Sequence, residues 1–359
     1  MRVGIIGLPQ TGKTTVFNAI TGAHGEVGVH GRAGTHLGAV KVPDERMDFL
    51  VNLFAPKKTR PATIEFEDIG GMFAHLGPEA QDNTQAVATA RTMDALSMVL
   101  RVFADPTVPH IFQSVNPARD FARMNEEMLL ADLGVVEKRI EHIKKDIIRC
   151  PATEREPLQE EMDLLEHCRQ AIELSSSISS VKMTATEEKM VRSYAFLTLK
   201  PFIYVLNEGE DQIGRPQVVA GLENLDPAPV VMYGKLEMEL MALEPQDREA
   251  FMRDSGLEEL SANKVARLCY KALDVRTFFT YAHDEVGAWT IHAGDTAVAA
   301  AGRVHTDMAH GFVKAEVVRS ENLKAAGSLK EAKARGKVRL EGRDYVVQDG
   351  DVITFRFTA

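Results

Sequence analysis

Gly7-Leu8-Pro9-Gln10-Thr11-Gly12-Lys13-Thr14 is the stretch from which the rest of the chain can be read. It matches G-x-x-x-x-G-K-T. The apolar run Val3 to Ile6 precedes it and a helical pattern opens at Lys13. That is the strand, loop and helix setting in which the pattern has a mechanism. Gly7 and Gly12 let backbone amides curl around a polyphosphate without side-chain obstruction. The helix N-terminus adds unpaired N–H groups and a partial positive charge. Lys13 is expected to reach the β- and γ-phosphates, and the Thr14 hydroxyl to ligate Mg²⁺. Pro9, Gln10, Thr11 and Thr15 complete the expected cradle.

Working outward, short apolar runs recur at Ala62–Phe66, Ala95–Phe103, Pro201–Leu206 and Pro229–Met232. Each is β-branched or aromatic enough to be a buried strand. Helical stretches separate several of them, which predicts an α/β fold with a mainly parallel sheet covered on both faces. The texture changes between the Ala95 and Pro201 runs. Arg119 to Ile148 is rich in Glu, Lys, Leu and Ile, with Val136, Ile140, Ile143 and Ile147 forming a helical seam. Pro151 and Pro157 break it. A second seam of Leu158, Met162, Leu165 and Ile172 follows. Two helices joined this way predict an antiparallel hairpin, either standing out from the sheet or packed on it. After Val275 short strands with Gly and Asp turns, Asp344 to Val347 among them, surround one helical segment, Thr296 to Val304, as in a small α+β domain.

Composition narrows the class. The 359 residues hold 42 basic and 52 acidic side chains, 45% are hydrophobic and 26% are charged. These are ordinary globular values. No apolar run reaches the ~18 residues of a membrane span. The N-terminus does not read as a signal peptide. Cys150, Cys168 and Cys269 lack metal-ligand spacing and read as reduced thiols, which points to the cytoplasm. Residues 276–359 hold 12 basic and 11 acidic side chains, so the acid excess lies in the first 275.

Two further motifs support the nucleotide reading. Ile64-Glu65-Phe66-Glu67-Asp68-Ile69-Gly70-Gly71 is a strand ending in D-x-x-G. Asp68 is expected to hold Mg²⁺, and the Gly71 amide to sense the γ-phosphate. Asn207-Glu208-Gly209-Glu210 ends another strand as N-x-x-E. Guanine-reading sites carry N-K-x-D here. The longer Glu210 loses discrimination for guanine, whereas Asn207 can still bond an adenine edge. Glu208 stands where a lysine usually stacks along the base. Tyr233-Gly234-Lys235 is expected to give backbone contacts to the base. ATP is therefore favoured, with GTP left open.

The chain resembles the Obg-like ATPase (YchF-type) family of P-loop NTPases over nearly its whole length. The resemblance lies in GLPQTGKTTVFNAIT, VPDERMDFL, TIEFEDIGG, LADLGVVEKRIEHI, YVLNEGE, KLEMEL, AWTIHAGDTAVAAAGRVHTDMAHGFVKAEV and RLEGRDYVVQDGDVITFRF. It implies a P-loop domain over 1–118 and 182–275 and a coiled-coil insertion over 119–181. The last 84 residues, 276–359, would form a TGS domain, a ubiquitin-like β-grasp. It also implies Mg-dependent hydrolysis with ATP preferred, and association with ribosomes.

Both expected switch loops depart from that family. Gln10 replaces an asparagine that can help seat potassium, so potassium dependence is in doubt. Met72 stands where related GTPases carry a water-orienting glutamine. His75 is a candidate substitute, and Thr35 is the nearest hydroxyl for Mg²⁺ in the first switch. A nucleotide-gated RNA or ribosome adaptor without hydrolysis is thus the alternative to a weak ATPase. A small-molecule kinase would leave D-x-x-G, N-x-x-E and the terminal domain unexplained. For RNA contact the candidates are Lys330, Lys333, Arg335, Lys337, Arg339 and Arg343, with Lys138, Arg139, Lys144, Lys145 and Arg149 on the arm.

Overall fold

Ala95–Arg101 is buried at every position, as a strand with neighbours on both sides and helices on both faces must be. The computed structural model describes residues 1–22, 36–73, 84–215, 219–282 and 284–358. The strands are β1 (Arg2–Ile6), β2 (His36–Lys41), β3 (Lys58–Arg60), β4 (Thr63–Asp68), β5 (Ala95–Arg101), β6 (Phe202–Asn207), β7 (Val230–Met232), β8 (Val275–Ala282), β9 (Glu285–His292), β10 (Phe312–Arg319), β11 (Arg339–Glu341) and β12 (Asp351–Phe357). The first sheet runs β2-β4-β1-β5-β6-β7. Its pairs β1–β4, β1–β5, β5–β6 and β6–β7 are all parallel. Parallel pairing brings the carboxyl ends of β1, β4, β5 and β6 to one rim, where such sheets bind ligands.

The described residues form two compact units by contact, 1–38 with 65–262, and 39–64 with 263–359. In the first, α1 (Lys13–Thr21) follows β1, and α2 (Glu45–Phe54) and α3 (Thr84–Arg91) come next along the chain, α2 lying in the second unit. The predicted arm is present as α4 (Pro117–Arg149) and α5 (Arg155–Glu173). Asn116 caps α4 by accepting the Arg119 amide, and Pro117 opens its first turn. At 1.5 Å per residue α4 is about 50 Å long. Its start packs on the sheet through Met124 and Met128. Further along, Val136, Ile140 and Ile143 meet Leu164, Leu165, Cys168 and Ile172 in a separate core. The seams read from the sequence are therefore the contact faces. Burial pushes the Cys168 thiol up to about 11, so it is an inert packing group.

The arm is pinned to the sheet unit by one carboxylate. Asp132 of α4 is fully buried. Its Oδ1 accepts from Arg91 Nη1 at 2.8 Å and from the Leu197 amide at 3.0 Å. Its Oδ2 accepts from the Thr198 amide at 2.8 Å and the Thr198 hydroxyl at 3.0 Å. Leu197 and Thr198 lie just before β6, the strand that ends in Asn207.

In the second unit the sheet order is β11-β10-β12-β8-β9-β3. β8–β9, β10–β12 and β10–β11 are antiparallel, and β12–β8 is parallel. One face holds α10 (Ala297–Val304) through Ala297, Ala300 and Ala301 against Phe278, Ile291 and Ile353. This is the mixed sheet with a packed helix expected of a β-grasp. Residues 39–64, read above with the first domain, pack with this unit. β3 joins β9 in parallel. Phe54 stacks on Tyr281 at 4.1 Å. Arg46 bridges Asp44 at 2.7 Å and Asp349 at 2.6 Å. Asp344–Val347, expected as a strand, makes a single bridge from Val346 to Thr296. Asp351 explains this, because it draws in the Tyr345 hydroxyl at 2.7 Å and the Gln348 amide at 2.9 Å and so bends the segment into a turn. No helix among the described residues is long and apolar enough to cross a membrane.

Asp132→Ala is expected to lower unfolding stability by ~3–5 kcal/mol, because it strands an arginine and three further donors in the interior. Urea denaturation of the two proteins measures this. A loss below ~1 kcal/mol would show that the carboxylate does not hold the arm.

Candidate functional site

The loop between β1 and α1 takes the shape its motif requires. Gln10 and Gly12 are both left-handed, with φ of 62° and 83°. Gly12 occupies the N-cap of α1, offers no side chain to the first amides, and is followed by no acidic residue in the first turn. The helix start therefore presents its N–H groups and dipole to an anion. Thr11 is fully buried, and its hydroxyl donates to the Leu8 carbonyl at 3.0 Å. Pro9, Gln10 and Thr15 are half-buried around it.

Lys13 folds along the loop and donates to the Gly7 and Leu8 carbonyls at 3.0 and 2.9 Å. Burial lowers its pKa to about 8, and the charge of Asp68 partly offsets that fall. A buried ammonium without a carboxylate in contact is matched to an incoming phosphate.

The two expected metal-holding groups meet. Thr14 Oγ1 donates to Asp68 Oδ2 at 2.7 Å. Asp68 ends β4 beside β1, and its other oxygen, Oδ1, is buried without a hydrogen-bond partner among the described residues. His36 Nδ1 lies 3.8 Å from Oδ2. A hydroxyl from the first turn of α1 and an under-satisfied carboxylate at the end of β4 fit a hard divalent cation that completes its shell with phosphate and water. No cluster of three or more His, Cys, Asp or Glu with metal-binding geometry occurs among the described residues. Gly71 follows Asp68 in a left-handed turn (φ 79°) and is exposed, with room around its Cα. Met72 is buried in the sheet's core and cannot orient water. Thr35 and His75 lie outside the described residues.

On the other flank Asn207 does something the sequence reading did not include. Its Nδ2 donates to the Thr11 carbonyl at 2.9 Å, and its Oδ1 accepts the Gly234 amide at 3.2 Å. One buried amide thus ties the phosphate loop to the turn after β7. The space is made by glycine. A Cβ on Gly12 would stand 2.3 Å from Asn207 Nδ2, and one on Gly234 2.6 Å from Oδ1. Gly234 opens α7 (Gly234–Met241), and Lys235 beside it is exposed. Glu210 is exposed in a 3₁₀ turn, away from this amide. Glu208, by contrast, is buried, and its Oε1 has no partner among the described residues. Burial, with Asp211 nearby, raises the pKa of its carboxyl.

Two positioning residues escaped the sequence reading. Arg101 is 1% exposed at the end of β5. It donates to the carbonyls of Gln10 at 3.2 Å, Phe103 at 3.2 Å, Asp105 at 3.3 Å and Val108 at 2.9 Å, with its guanidinium 4.2 Å from the Phe103 ring centre. It holds the carbonyl of the left-handed Gln10, next to the Thr11 carbonyl that Asn207 holds. A lone arginine closing an otherwise apolar strand was the available signal. Glu237 of α7 accepts the Tyr233 amide at 3.2 Å and the Ser261 amide at 2.7 Å, so it sets the turn that presents Gly234. The signal there, an acid in an amphipathic helix, is indistinguishable from a surface charge.

The chain is similar to known proteins over nearly its whole length. A family model described as 50S ribosome-binding GTPase matches residues 2–208. The YchF-GTPase_C model, described as a protein of unknown function, matches residues 275–358. The chain is 36% identical to the ribosome-binding ATPase YchF of Bacillus subtilis, covering 99% of both chains. It is 35% identical to that of Escherichia coli O157:H7, again over 99% of both. The solved structure of the Schizosaccharomyces pombe YchF GTPase superposes with a TM-score of 0.87 at 28% identity, covering 99% of this chain and 97% of that one.

The Asn207 slot can be tested by a double-mutant cycle. Gly234→Ala and Asn207→Ala are each expected to destabilise by ~1–3 kcal/mol, one by a clash and one by orphaned backbone groups. Together they should cost at least ~1 kcal/mol less than their sum, since removing the amide empties the space the new methyl needs. Strict additivity in urea denaturation would show that the two do not share the slot.

Proposed function

Because the chain belongs to the YchF family, we propose that it is a weak Mg-dependent ATPase whose nucleotide state governs association with the ribosome in the cytoplasm. The single observation behind the site is the 2.7 Å hydrogen bond from Thr14 to Asp68, which joins the phosphate loop to D-x-x-G. Magnesium, when bound, neutralises phosphate charge and orients the transferring group. Thr14 and Asp68 would hold it. Lys13 would exchange its two carbonyl partners for the β- and γ-phosphates. The amides at the start of α1 would line the same anion, and the Gly71 amide would report the γ-phosphate. Asn207 acts first as a strut for Thr11 and Gly234, and its remaining donor and acceptor are available for an adenine edge. Preference for ATP over GTP rests on Glu210, which replaces the aspartate of guanine-reading sites and stands exposed.

A second reading has its own support. Met72, at the water-orienting position, is 3% exposed and packed with Ile69 and Phe73. Binding without turnover, as in a nucleotide-gated adaptor, would follow if no other group orients the water.

Fluorescent ATP and GTP titrations with magnesium, run beside a phosphate-release assay with and without ribosomes, separate the readings. Lys13→Ala is expected to cut turnover by about 10²-fold or more. Tight ATP binding without phosphate release under either condition would establish the adaptor. No affinity for either triphosphate would overturn both.

A further inference from the structure

The sheet of the second unit carries an open cavity of about 390 Å³ lined by Arg319, Asn322, Gly336, Lys337 and Arg339. Every charged group in that lining is a cation, though the chain as a whole carries a net charge of −10. The arginines are aimed from behind. Asp351 is fully buried, with Oδ1 3.4 Å from Arg319 Nε. Its Oδ2 accepts the Tyr345 hydroxyl at 2.7 Å. Arg339 Nη2 donates to that same hydroxyl at 3.1 Å, and its Nη1 lies 3.2 Å from Glu341. The Asp351 carboxylate thus lies behind Arg319 and the Tyr345 phenol behind Arg339, and each side chain still keeps roughly half of its surface in water, 44% and 50%.

Lys337 is placed by the end of α13 (Leu329–Ala334). Gly336, with φ 66°, donates to the Lys333 carbonyl at 3.0 Å, and the Lys337 amide to the Ala332 carbonyl at 2.9 Å. This is the paired closure of a Schellman turn. Lys337 has no ion pair among the described residues. Three of its neighbours in the basic run are engaged elsewhere, and Lys330 is not paired among the described residues. Lys333 meets Glu316 at 2.9 Å, Arg335 meets Glu331 at 2.9 Å, and Arg343 donates to the Phe312 carbonyl at 3.3 Å. On the arm, Arg139 and Lys145 are likewise engaged, whereas Lys138 and Arg149 make no ion pair among the described residues. Arg139 forks onto Glu161 at 2.8 and 2.7 Å, and Lys145 meets Glu141 at 2.6 Å. Here three cations share one lining, and one of them, Lys337, is unpaired among the described residues.

We propose that this cavity is a phosphate-binding site in which Arg319 and Arg339 fork onto the oxygens of one phosphate group, Lys337 supplies a mobile charge and Asn322 a neutral amide. Planar guanidiniums held at fixed angles suit a tetrahedral oxyanion, and an unpaired ammonium adapts to its position. The phosphate belongs either to an RNA backbone, which rests on the ribosome reading above, or to a free phosphorylated small molecule, which does not.

The test uses the full chain with its nucleotide loop saturated by Mg–ADP, a labelled single-stranded RNA, and inorganic pyrophosphate both as competitor and as sole ligand. Lys337→Ala and Arg339→Ala are each expected to lower the salt slope of RNA binding by about 0.7, a loss of about fourfold at roughly 0.15 M salt. Lys337→Arg should restore most of it, and ADP affinity should not change. If pyrophosphate binds the native chain but not the double variant while RNA binding is unchanged, the site holds and its phosphate is a free one. If only RNA weakens, the phosphate is RNA's. Failure of ribosome association alone would remove the ribosome reading and leave the pyrophosphate result standing. Unchanged affinity of the Lys337→Ala/Arg339→Ala protein for both ligands overturns the proposal.

Discussion

A loop that binds phosphate through its backbone must leave amides unpaired and hold left-handed residues in place. It cannot stabilise itself by satisfying its own donors, since those donors are what it offers. Its shape therefore has to be imposed by groups that reach it from elsewhere. Asn207 takes the Thr11 carbonyl and Arg101 takes the Gln10 carbonyl. Both side chains are almost wholly buried, both sit at the carboxyl end of a strand next to or near β1, and both take carbonyls of the loop rather than its amides. The acceptors of the loop are used for construction and its donors are kept for the ligand. The rest of the site depends on that division of labour.

Those anchors are in turn held in place. Arg101 reaches on to Asp105 and Val108, which begin the connection to α4. Within that connection His110 Nδ1 accepts the Phe112 amide at 3.1 Å, which leaves Nε2 to donate to Asp120 at 2.8 Å. Asp120 lies in the first turn of α4, is fully buried, and also receives Arg119. Asp132, three turns further along the helix, grips the segment that feeds β6 and hence Asn207. The base of the arm is therefore bonded to the segment that follows β5 and to the segment that leads into β6. In a packed interior such bonded elements shift together or not at all. A change at the loop is mechanically connected to α4 through named hydrogen bonds, which is the minimum that any switching role for the arm would require.

Much of this fold was legible in the sequence, because burial writes itself as periodicity. The five strand runs of the first sheet and both arm seams appear as patterns of apolar residues, and the structure uses them as such. The phosphate loop was legible because its glycines and lysine have few other reasons to occur together. What the pattern missed are polar groups with remote partners. Arg101 and Glu237 look like surface charges until the carbonyls and amides they satisfy are known. Asn207 was visible as a motif residue, but its two contacts lie 196 and 27 residues away in the chain. Residues 39–64 were missed for a related reason. Pairing of β3 with β9 is a contact across more than two hundred positions, and nothing local in Lys58-Thr59-Arg60 announces it.

The same distinction bears on catalysis. Holding a nucleotide needs a rigid cradle, and the supports of that cradle, Thr11, Arg101 and Asn207, are buried and hydrogen-bonded. Hydrolysis needs more: a water placed in line and charge stabilised as the phosphoryl group departs. At the position where a polar side chain would do this, Met72 turns inward and stabilises the core. Its burial has a structural cause in its neighbours Ile69 and Phe73, which continue the same apolar packing below D-x-x-G. A glutamine at 72 would have to bury an amide or leave the core, so the packing that secures Asp68 also excludes that solution. Affinity and turnover are therefore separable properties here. The first follows from the architecture of β1, β5 and β6. The second depends on groups that this turn does not supply.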